Sequence, residues 1–389
     1  MKAILKLWVM VFIVILGCEN AEPALFHFSN TDESLLIETK KERGSGILSL
    51  GISSLNFKDI GSEFPYPIKI PVNIKDVKRA QISTDIRAES KYYIDVVTGE
   101  IDEKQIFIVD ENNNNNLMDD SVRIVKPIDW STEDDLIECL YSVSKQQEVV
   151  EDKTWLRIGR SFDGAFRGGK SEHLIAEFWI GKDQYQVGIA SPYIVDYTYD
   201  FAPEIAIFSH NESEKDTLFT RDIIKKGEFL KLKNGYYKFD SISYYGELIT
   251  LVKEHNFDEI VGAQVGMIAP EFTCVSTSND TMYSQVLHDK ILVVANSCAC
   301  GGDVESTEAY FEISNEFNDK IHILRLDSKI DTTLAGYHID MDDEFNKGVY
   351  DKYRNAYCSR SCVVIGENGR IIDKFPVVDW RQYLPKLVN

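Results

Sequence analysis

The amino-acid sequence predicts two domains of different fold classes: a mainly β, antiparallel sandwich-like N-terminal domain and a C-terminal α/β domain. The 389 residues exceed the usual length of one domain. Up to about residue 257, short runs rich in β-branched and aromatic residues follow one another, whereas strand-like and helix-like runs alternate from residue 265. Five of the seven cysteines lie after residue 270. We therefore expect a β-rich domain over residues 33–262 and an α/β domain over residues 263–389.

The N-terminal domain is expected to consist of strands, because its apolar runs are short and several alternate in polarity. The predicted strands cover residues 92–97, 105–109, 122–125, 174–180, 185–189, 205–208, 236–241 and 247–252. Residues 129–147 are ambiguous and are the candidate for the one helix of this domain, with Asp129 or Ser131 as its N-cap. Cys139 is expected to be a buried free thiol.

One loop of this domain carries oxygen ligands at alternate positions. Asp110, Asn112, Asn114 and Asn116 follow a predicted strand, and carboxylates recur at Asp119 and Asp120. Calcium prefers six to eight oxygen ligands, and this spacing resembles the start of an EF-hand loop. It departs from that loop because Asn115 replaces the glycine and Ser121 replaces the bidentate glutamate. The loop is therefore a candidate structural calcium site, and a plain Asn-rich turn is the alternative.

The C-terminal domain is predicted to contain a βαβ unit followed by further strands and helices. The predicted strands cover residues 291–295, 321–326, 362–365 and 370–375, with a turn at residues 367–369. Helices are expected at residues 303–317 and 342–353 and from Asp379 onward, and the first is expected to bury Tyr310, Phe311, Ile313 and Phe317.

Cys298 and Cys300 lie at the predicted junction between a buried strand and the first of these helices. Backbone N–H groups and the positive end of a helix dipole favour a thiolate at such a position. A thiolate with a neighbouring cysteine is what thiol–disulfide exchange requires. Two small buried residues at a turn are the alternative. Cys358 and Cys362 follow in a second loop, and Cys274 is expected to be a buried free thiol.

This domain resembles the TlpA/ResA-type thioredoxin family, which is close to the peroxiredoxins in fold. The resemblance rests on Ala-Pro-Glu-Phe at residues 269–272, on the strand–Cys–helix junction and on residues 363–371. It implies a thioredoxin fold, with Cys298 at the position of the nucleophile. Two departures stand out: Cys298 and Cys300 have one residue between them instead of two, and Gly301 takes the position of the resolving cysteine. The fold also implies that the loop with Cys358 and Cys362 packs near the first two cysteines.

Three functions remain open for this cluster of cysteines. In the first, the domain is a thiol–disulfide oxidoreductase that needs no cofactor, with Cys298 attacking and Cys300, Cys358 or Cys362 resolving. In the second, the four thiolates bind Cu(I) or Zn²⁺. Copper-handling Sco proteins use this fold with two cysteines and a histidine, and Cys358 lies roughly where that histidine would be. In the third, the cysteines form fixed disulfides and the domain is a binding module.

The first residues predict an extracytoplasmic location. Residues 1–17 have a positive start and a short apolar core, which is typical of a signal peptide, and residues 15–18 resemble the lipobox of bacterial lipoproteins. This resemblance implies cleavage before Cys18, lipidation of Cys18 and anchoring to a membrane of the bacterial cell envelope, with residues 18–32 as a tether. Envelope protein thiols and disulfides would be the partners. The formal charge of −21 argues against nucleic acid as a partner.

Overall fold

The computed structural model describes most of the chain after the predicted signal peptide. The described residues are 26–46, 48, 52–61, 63–89, 91–191, 198–199, 201–208, 222–233, 235–296, 304–327, 336–340, 343–353 and 360–388. None of the helices within these ranges is long and apolar enough to cross a membrane.

The part of the chain before residue 257 is built from strands, as the sequence predicts. In chain order these are β1 (Phe26–Phe28), β2 (Ser34–Glu38), β3 (Lys40–Arg43), β4 (Ser53–Ser54), β5 (Lys58–Asp59), β6 (Lys75–Ser83), β7 (Tyr93–Ile101), β8 (Lys104–Val109), β9 (Arg123–Ile124), β10 (Ile137–Lys145), β11 (Glu148–Arg160), β12 (Phe166–Lys170), β13 (Glu172–Ile180), β14 (Asp183–Ala190), β15 (Glu204–Phe208), β16 (Ile224–Lys225), β17 (Phe229–Leu232), β18 (Gly235–Ile242) and β19 (Leu248–Glu254). Each of the eight predicted strands overlaps one of them. Short 3₁₀ turns lie at Ile86–Ala88 and Phe257–Glu259.

Two of the sheets pack face to face to form a sandwich. One has the strand order β1-β13-β14-β15-β16, with β3 also paired to β13, and the other has the order β17-β18-β19-β2. Alternation in polarity sets the buried face: Leu35 and Ile37 of β2 are fully buried, whereas Leu36 between them is 53% exposed. They share one core with residues of the opposite sheet such as Phe178 and Val187. Because β1 belongs to this sandwich, the segment predicted as a tether is held by a sheet from Phe26 onward.

Two further sheets form a second sandwich, where the sequence predicts a single one. Their orders are β5-β6-β7-β8-β9 and β10-β11-β12-β4, and residues of β7, β8, β10 and β11 share one core. The helix predicted within residues 129–147 is wrong, because β10 covers Ile137–Lys145. Its buried residues alternate with exposed or half-buried ones, and this period of two satisfies a strand rather than a helix. The residues before it form turns, and Ser131 N–H donates to the Asp129 carboxylate there.

The C-terminal part contains seven strands and four short or medium helices within the described residues. These are β20 (Thr273–Val275), β21 (Thr281–Tyr283), β22 (Ile291–Asn296), α1 (Val304–Phe317), β23 (Ile321–Asp327), β24 (Tyr337–Asp340), α2 (Lys347–Tyr353), β25 (Ser361–Ile365), β26 (Ile371–Pro376), α3 (Trp380–Tyr383) and α4 (Pro385–Val388). Additional 3₁₀ turns lie at Ser284–Asp289, Glu344–Asn346 and Val377–Asp379. All elements predicted for this part are present, and β20, β21 and β24 are additional.

Five of these strands form one sheet with helices against both faces. Its order is β24-β23-β22-β25-β26, with the first three strands parallel and the last two antiparallel to their neighbours. One face packs against α1 and the last helices through residues such as Val293 and Phe375, and the other packs against α2 through residues such as Val294 and Val349. This strand order, with its βαβ unit, is that of a thioredoxin-like fold, as predicted.

Helix α1 covers one face of the sheet because its apolar residues recur every three or four positions. Tyr310, Ile313 and Phe317 are buried as predicted. The prediction for Phe311 is wrong: this residue is 46% exposed, because it follows Tyr310 by one position and so points about 100° away from it around the helix axis.

The N-terminal strands contact the segment that leads to the C-terminal sheet. Gln264 makes reciprocal hydrogen bonds with the backbone of Phe229, with Nε2 donating at 3.0 Å and Oε1 accepting at 2.8 Å. The Tyr236 ring stacks on Phe257 with a centroid distance of 3.6 Å. These contacts fix the chain on both sides of the predicted boundary between residues 262 and 263.

Candidate functional site

The connection from β22 to α1 carries the first cysteine pair. Strand β22 ends at Asn296, and α1 begins at Val304. Cys298 and Cys300 therefore belong to the segment that leads from the carboxyl end of a buried central strand to the amino end of a helix of 14 residues. The two cysteines themselves lie outside the described residues, as do Cys358 and Cys18. Cys358 belongs to the segment between the end of α2 and the start of β25.

Cys362 is the one cysteine of the predicted cluster that the structure describes. It lies on β25 beside Ala295 of β22, is fully buried in the core under α1, and forms no disulfide. Burial raises the pKa of its thiol far above the usual range. A thiol is nucleophilic as the thiolate, so the described position of Cys362 suits packing better than exchange.

The other two described cysteines are buried free thiols, as the sequence predicts. Cys139 lies on β10 and Cys274 on β20, and neither is exposed. Burial raises the pKa of Cys274 to about 11 and that of Cys139 further.

Asn296 is a buried polar residue at the end of β22 that sequence reasoning did not single out. It is 1% exposed, and its Nδ2 donates to the carbonyl oxygens of Tyr353 at 3.2 Å and Ser361 at 3.4 Å. No hydrogen bond from the described residues reaches its Oδ1, although that atom is buried. The signal in the sequence is an amide residue that ends an apolar run immediately before Ser297 and Cys298.

A second group of polar residues lies between the sheet and the first turns of α1. Arg325 of β23 is 3% exposed, and its guanidinium donates to Thr307 Oγ1 at 3.0 Å and lies 5.2 Å from the Tyr310 ring. His338 of β24 pairs in register with Arg325 and contacts Tyr310 edge-on. Burial raises the pKa of Tyr310 to about 12. Arg325 therefore places a buried positive charge close to the amino end of α1, where it adds to the field of the helix dipole.

The predicted calcium loop folds around Asp110, which is fully buried. The two oxygens of its carboxylate accept from the backbone N–H groups of Asn114 and Asn115, each at 2.9 Å. Asn114 Nδ2 donates to Asp119 Oδ2 at 3.0 Å, and the N–H of Glu111 donates to Asp120 Oδ1 at 3.1 Å. The structure thus brings the two ends of the predicted ligand set together.

The remaining oxygens of this loop decide how well it suits a cation. Asn112 Oδ1 accepts from Asn114 N–H at 3.2 Å, and Asn114 Oδ1 accepts from Asn116 N–H at 2.7 Å. Four buried acceptors have no partner among the described residues: Asn113 Oδ1, Asn115 Oδ1, Asn116 Oδ1 and Asp120 Oδ2. Burial, together with the charges of nearby carboxylates, raises the pKa of Asp120 to about 6. Asn115, at the position of the EF-hand glycine, has a φ of 64°.

No three His, Cys, Asp or Glu side chains among the described residues gather in a way that could hold a metal ion. A calcium site in this loop would therefore depend on asparagine amide oxygens as well as carboxylates, and it stays a prediction. A copper or zinc site at the cysteine cluster also stays a prediction, because three of its four cysteines lie outside the described residues.

Comparison with known proteins gives matches to solved structures alone. No protein-family model matches the sequence, and no curated protein matches it. The thioredoxin domain of a thiol-disulfide oxidoreductase from Bacteroides vulgatus is similar at 18% identity and a TM-score of 0.27, over 32% of this chain and 98% of that one. A thiol:disulfide interchange protein from Bacteroides sp. is similar at 16% identity and a TM-score of 0.28, over 32% and 90% of the two chains. A thioredoxin-like protein from Bacteroides caccae is similar at 12% identity and a TM-score of 0.27, over 33% and 51%.

Proposed function

We propose that this protein is a thiol–disulfide oxidoreductase of the bacterial cell envelope, with Cys298 as the attacking thiolate and Cys300 as the resolving thiol. The observation that carries the proposal is the connection between β22 and α1. A buried strand ends at Asn296, a long helix begins at Val304, and the sequence places both cysteines between them. The amino end of a helix stabilises a negative charge, so it favours the thiolate that exchange requires.

Two features of the described residues support this division of roles. Arg325, held against Thr307 in the first turn of α1, adds a buried positive charge on the side of the helix that faces the sheet. Cys362 is buried and burial raises the pKa of its thiol, so it is poorly suited to resolve the mixed disulfide. Cys300, separated from Cys298 by one residue, is the nearest cysteine in the sequence. No described contact favours metal binding or a fixed disulfide over exchange.

The reaction transfers two electrons between this chain and an envelope protein. The Cys298 thiolate attacks one sulfur of a substrate disulfide, a mixed disulfide forms, and the other substrate sulfur leaves as a thiolate that takes a proton from water. The Cys300 thiolate then attacks the Cys298 sulfur, breaks the mixed disulfide and releases the second substrate thiol. The chain ends with a Cys298–Cys300 disulfide, and the substrate has gained two electrons and two protons. The reverse sequence oxidises a substrate dithiol, and a second dithiol or disulfide protein of the envelope returns the chain to its starting state.

The location is part of the proposal. A signal peptide of residues 1–17 and a lipid on Cys18 would hold the protein at an envelope membrane, where disulfides form and persist. The substrate proteins would then be secreted or membrane-anchored proteins with accessible cysteines.

Exchange with glutathione tests the chemistry directly. The full chain, purified from membranes in detergent, is reduced and mixed with oxidised glutathione, and each cysteine is mapped by alkylation and mass spectrometry over time. We expect Cys298 to form the mixed disulfide, Cys300→Ala to accumulate it, and Cys298→Ser to abolish it. Unchanged exchange in Cys298→Ser would show that the assignment of the nucleophile is wrong.

A further inference from the structure

A cavity of about 220 Å³ lies at one end of the sandwich that contains β13 and β18. Each of the two sheets contributes a turn to it. Asp183, the first residue of β14, comes from one sheet, and Lys233, directly after β17, comes from the other. Pockets for drug-sized molecules occupy about 300–1,000 Å³, so this cavity suits a ligand with about one ring.

Two tyrosine hydroxyls line the cavity without a hydrogen-bond partner. Tyr237 of β18 is 3% exposed and Tyr185 of β14 is half-buried, and no hydrogen bond within the described part of the chain reaches either hydroxyl. Burial raises the pKa of both tyrosines, so both hydroxyls stay protonated at neutral pH and can donate. Buried tyrosine hydroxyls usually have a partner, and here the partner has to come from the cavity.

The inner wall of the cavity is apolar. Ile180 of β13 and Leu232 of β17 line it, and both belong with Tyr237 to the buried core of the sandwich. The tyrosine rings add further apolar surface beside their hydroxyls. A ligand in this cavity would therefore contact carbon atoms on one side and hydrogen-bonding groups on the other.

The rim of the cavity supplies further donors and acceptors. Lys233 Nζ donates to Asp183 Oδ2 at 2.6 Å, and Lys253 Nζ donates to the carbonyl of Asn30 at 2.7 Å. An ammonium group has three N–H groups and a carboxylate has about four lone-pair sites, so Lys253 and Asp183 each retain capacity for more hydrogen bonds.

The charges around the cavity nearly cancel. Asp32 and Glu33 lie close enough to Tyr237 to add to the effect of burial on its pKa. With the pair of Asp183 and Lys233, and with the second lysine of the rim, three carboxylates and two ammonium groups surround the cavity. This balance does not attract an anion, and the chain as a whole carries a charge of −21. No three His, Cys, Asp or Glu side chains in the described ranges could hold a metal ion there. A neutral ligand therefore fits best.

We propose that this cavity binds a neutral sugar ring. A sugar has hydroxyls along its edge, which both donate and accept, and C–H groups on its faces. The hydroxyls match Tyr237, Tyr185, Asp183 and Lys253, and the C–H groups match the apolar wall at Leu232. This binding role is independent of thiol exchange and gives the β-rich part of the chain a function of its own.

Saturation-transfer-difference NMR tests the proposal on the full chain, held in a detergent without a sugar headgroup. The probes are D-glucose, D-galactose and D-mannose, each as the free sugar and as its methyl glycoside, together with the uronic acid of each. We expect at least one of the neutral hexoses to bind with a Kd in the millimolar range. Its uronic acid, which has the same ring and a negative charge, should bind at least five times more weakly.

Two substitutions of neighbouring tyrosines show whether binding occurs in this cavity. Tyr237→Phe removes one cavity hydroxyl and keeps the ring, and it should raise the Kd at least fivefold. Tyr236→Phe is the matched control, because Tyr236 is on the opposite face of β18, where its ring stacks on Phe257. This control should change the Kd less than twofold.

Asp183→Asn keeps the experiment decisive if Tyr237→Phe does not fold. It replaces a partly exposed carboxylate that is paired with Lys233, and it should raise the Kd at least threefold. Asp240→Asn is its control, because Asp240 forms a similarly exposed pair with Lys238 at 3.0 Å and does not line the cavity. This second control should leave the Kd unchanged within a factor of two.

Binding of a free sugar but not of its methyl glycoside would identify a free sugar as the ligand, whereas equal binding of both would identify the terminal residue of a glycan as a ligand too. The inference would be overturned if none of the three hexoses bound, or if a hexose and its uronic acid bound equally. A Kd that neither Tyr237→Phe nor Asp183→Asn changes would also overturn it. Failure of the chain to exchange with glutathione would refute the proposed function and leave this result unaffected.

Discussion

Replacement of Cys362 and Cys300, one at a time, separates a packing thiol from a resolving thiol. Cys362 lies on a central strand with no exposed surface, and burial raises the pKa of its thiol. It should therefore carry almost no thiolate near neutral pH. We expect Cys362→Ala to leave the rate of release of the mixed disulfide at Cys298 within a factor of two, whereas Cys300→Ala should leave that mixed disulfide in place.

The cost of Cys362→Ala should appear in stability. Removing one buried, well-packed sulfur leaves a small cavity under α1 and should lower the free energy of unfolding by about 1–2 kcal/mol. Cys274 of β20 offers the control, because it is also fully buried, in the core that covers the other face of the five-stranded sheet. Cys274→Ala should cost a similar amount and leave exchange unchanged. A thiol that becomes accessible only when the fold opens, at about 5 kcal/mol, should be alkylated roughly four-thousandfold more slowly than an exposed one.

The assay follows iodoacetamide labelling of each cysteine in the native full chain, together with urea unfolding of the three variants and glutathione release from Cys298. Fast labelling of Cys362 in the folded protein would contradict its buried position. If Cys362→Ala traps the mixed disulfide while Cys300→Ala does not, the roles that we assign to these two thiols are reversed, and β25 must open around Cys362 during the reaction.

Three further predictions concern the rest of the chain. If the loop at Asp110 binds calcium, a chelator should lower the melting temperature of the wild type and have no effect on that of Asp110→Ala. Because the pKa of Asp120 is raised to about 6, protonation of its carboxylate should weaken calcium binding about tenfold between pH 7 and pH 5. A wild-type melting temperature that does not change with chelator would show that the loop binds no calcium. Asp95→Ala should lower the free energy of unfolding by about 3–5 kcal/mol in urea titration, because it leaves the charge of Arg79, which donates to Asp95 at 2.6 Å, buried without its carboxylate. Asp163→Ala, which breaks a more exposed ion pair of equal length with Arg167, should have a much smaller effect. Equal losses in the two variants would contradict this reasoning. Cys18→Ser should abolish incorporation of labelled fatty acid and release the protein from membranes, and a variant that stays labelled would contradict the lipidation of Cys18.

The sequence predicted the C-terminal elements closely because their signals are local. The apolar residues of α1 recur at helical spacing, and the runs that became β22, β23 and β25 are short and apolar. Prediction of the N-terminal part failed where distant strands decide the structure. Strand β2 pairs with β19, and β1 with β13, across long stretches of chain, so two sandwiches could not be told from one. The turn residues Asp129 and Ser131 resemble a helix cap, but buried and more exposed residues alternate from Ile137 onward, and this period of two gives a strand.

The features of the candidate site could likewise be predicted where their signal is local and could not where they depend on distant residues. The junction of β22 and α1 could be predicted, because a strand, a cysteine pair and an amphipathic run are consecutive in the sequence. The partners of Asn296 could not, because they are backbone carbonyls of Tyr353 and Ser361, more than fifty residues away, and a carbonyl carries no signal in the sequence. The burial of Cys362 likewise depends on the register between β22 and β25.

If the chain is a membrane-anchored oxidoreductase, as we propose, the contact between β17 and the segment that leads to the C-terminal sheet bears on how the chain reaches its substrates. Lys374 of β26 is 6% exposed, burial lowers its pKa, and Glu228, at the turn before β17, acts in the opposite direction. The neighbouring Phe229 holds Gln264 by two hydrogen bonds. A module on a free linker would sample many orientations, whereas the two hydrogen bonds between Gln264 and Phe229 restrict the chain where it leaves the N-terminal strands. Reach toward substrates would then depend on residues 18–25, which precede β1, so shortening that segment should slow exchange with membrane-anchored substrates and leave exchange with glutathione unchanged.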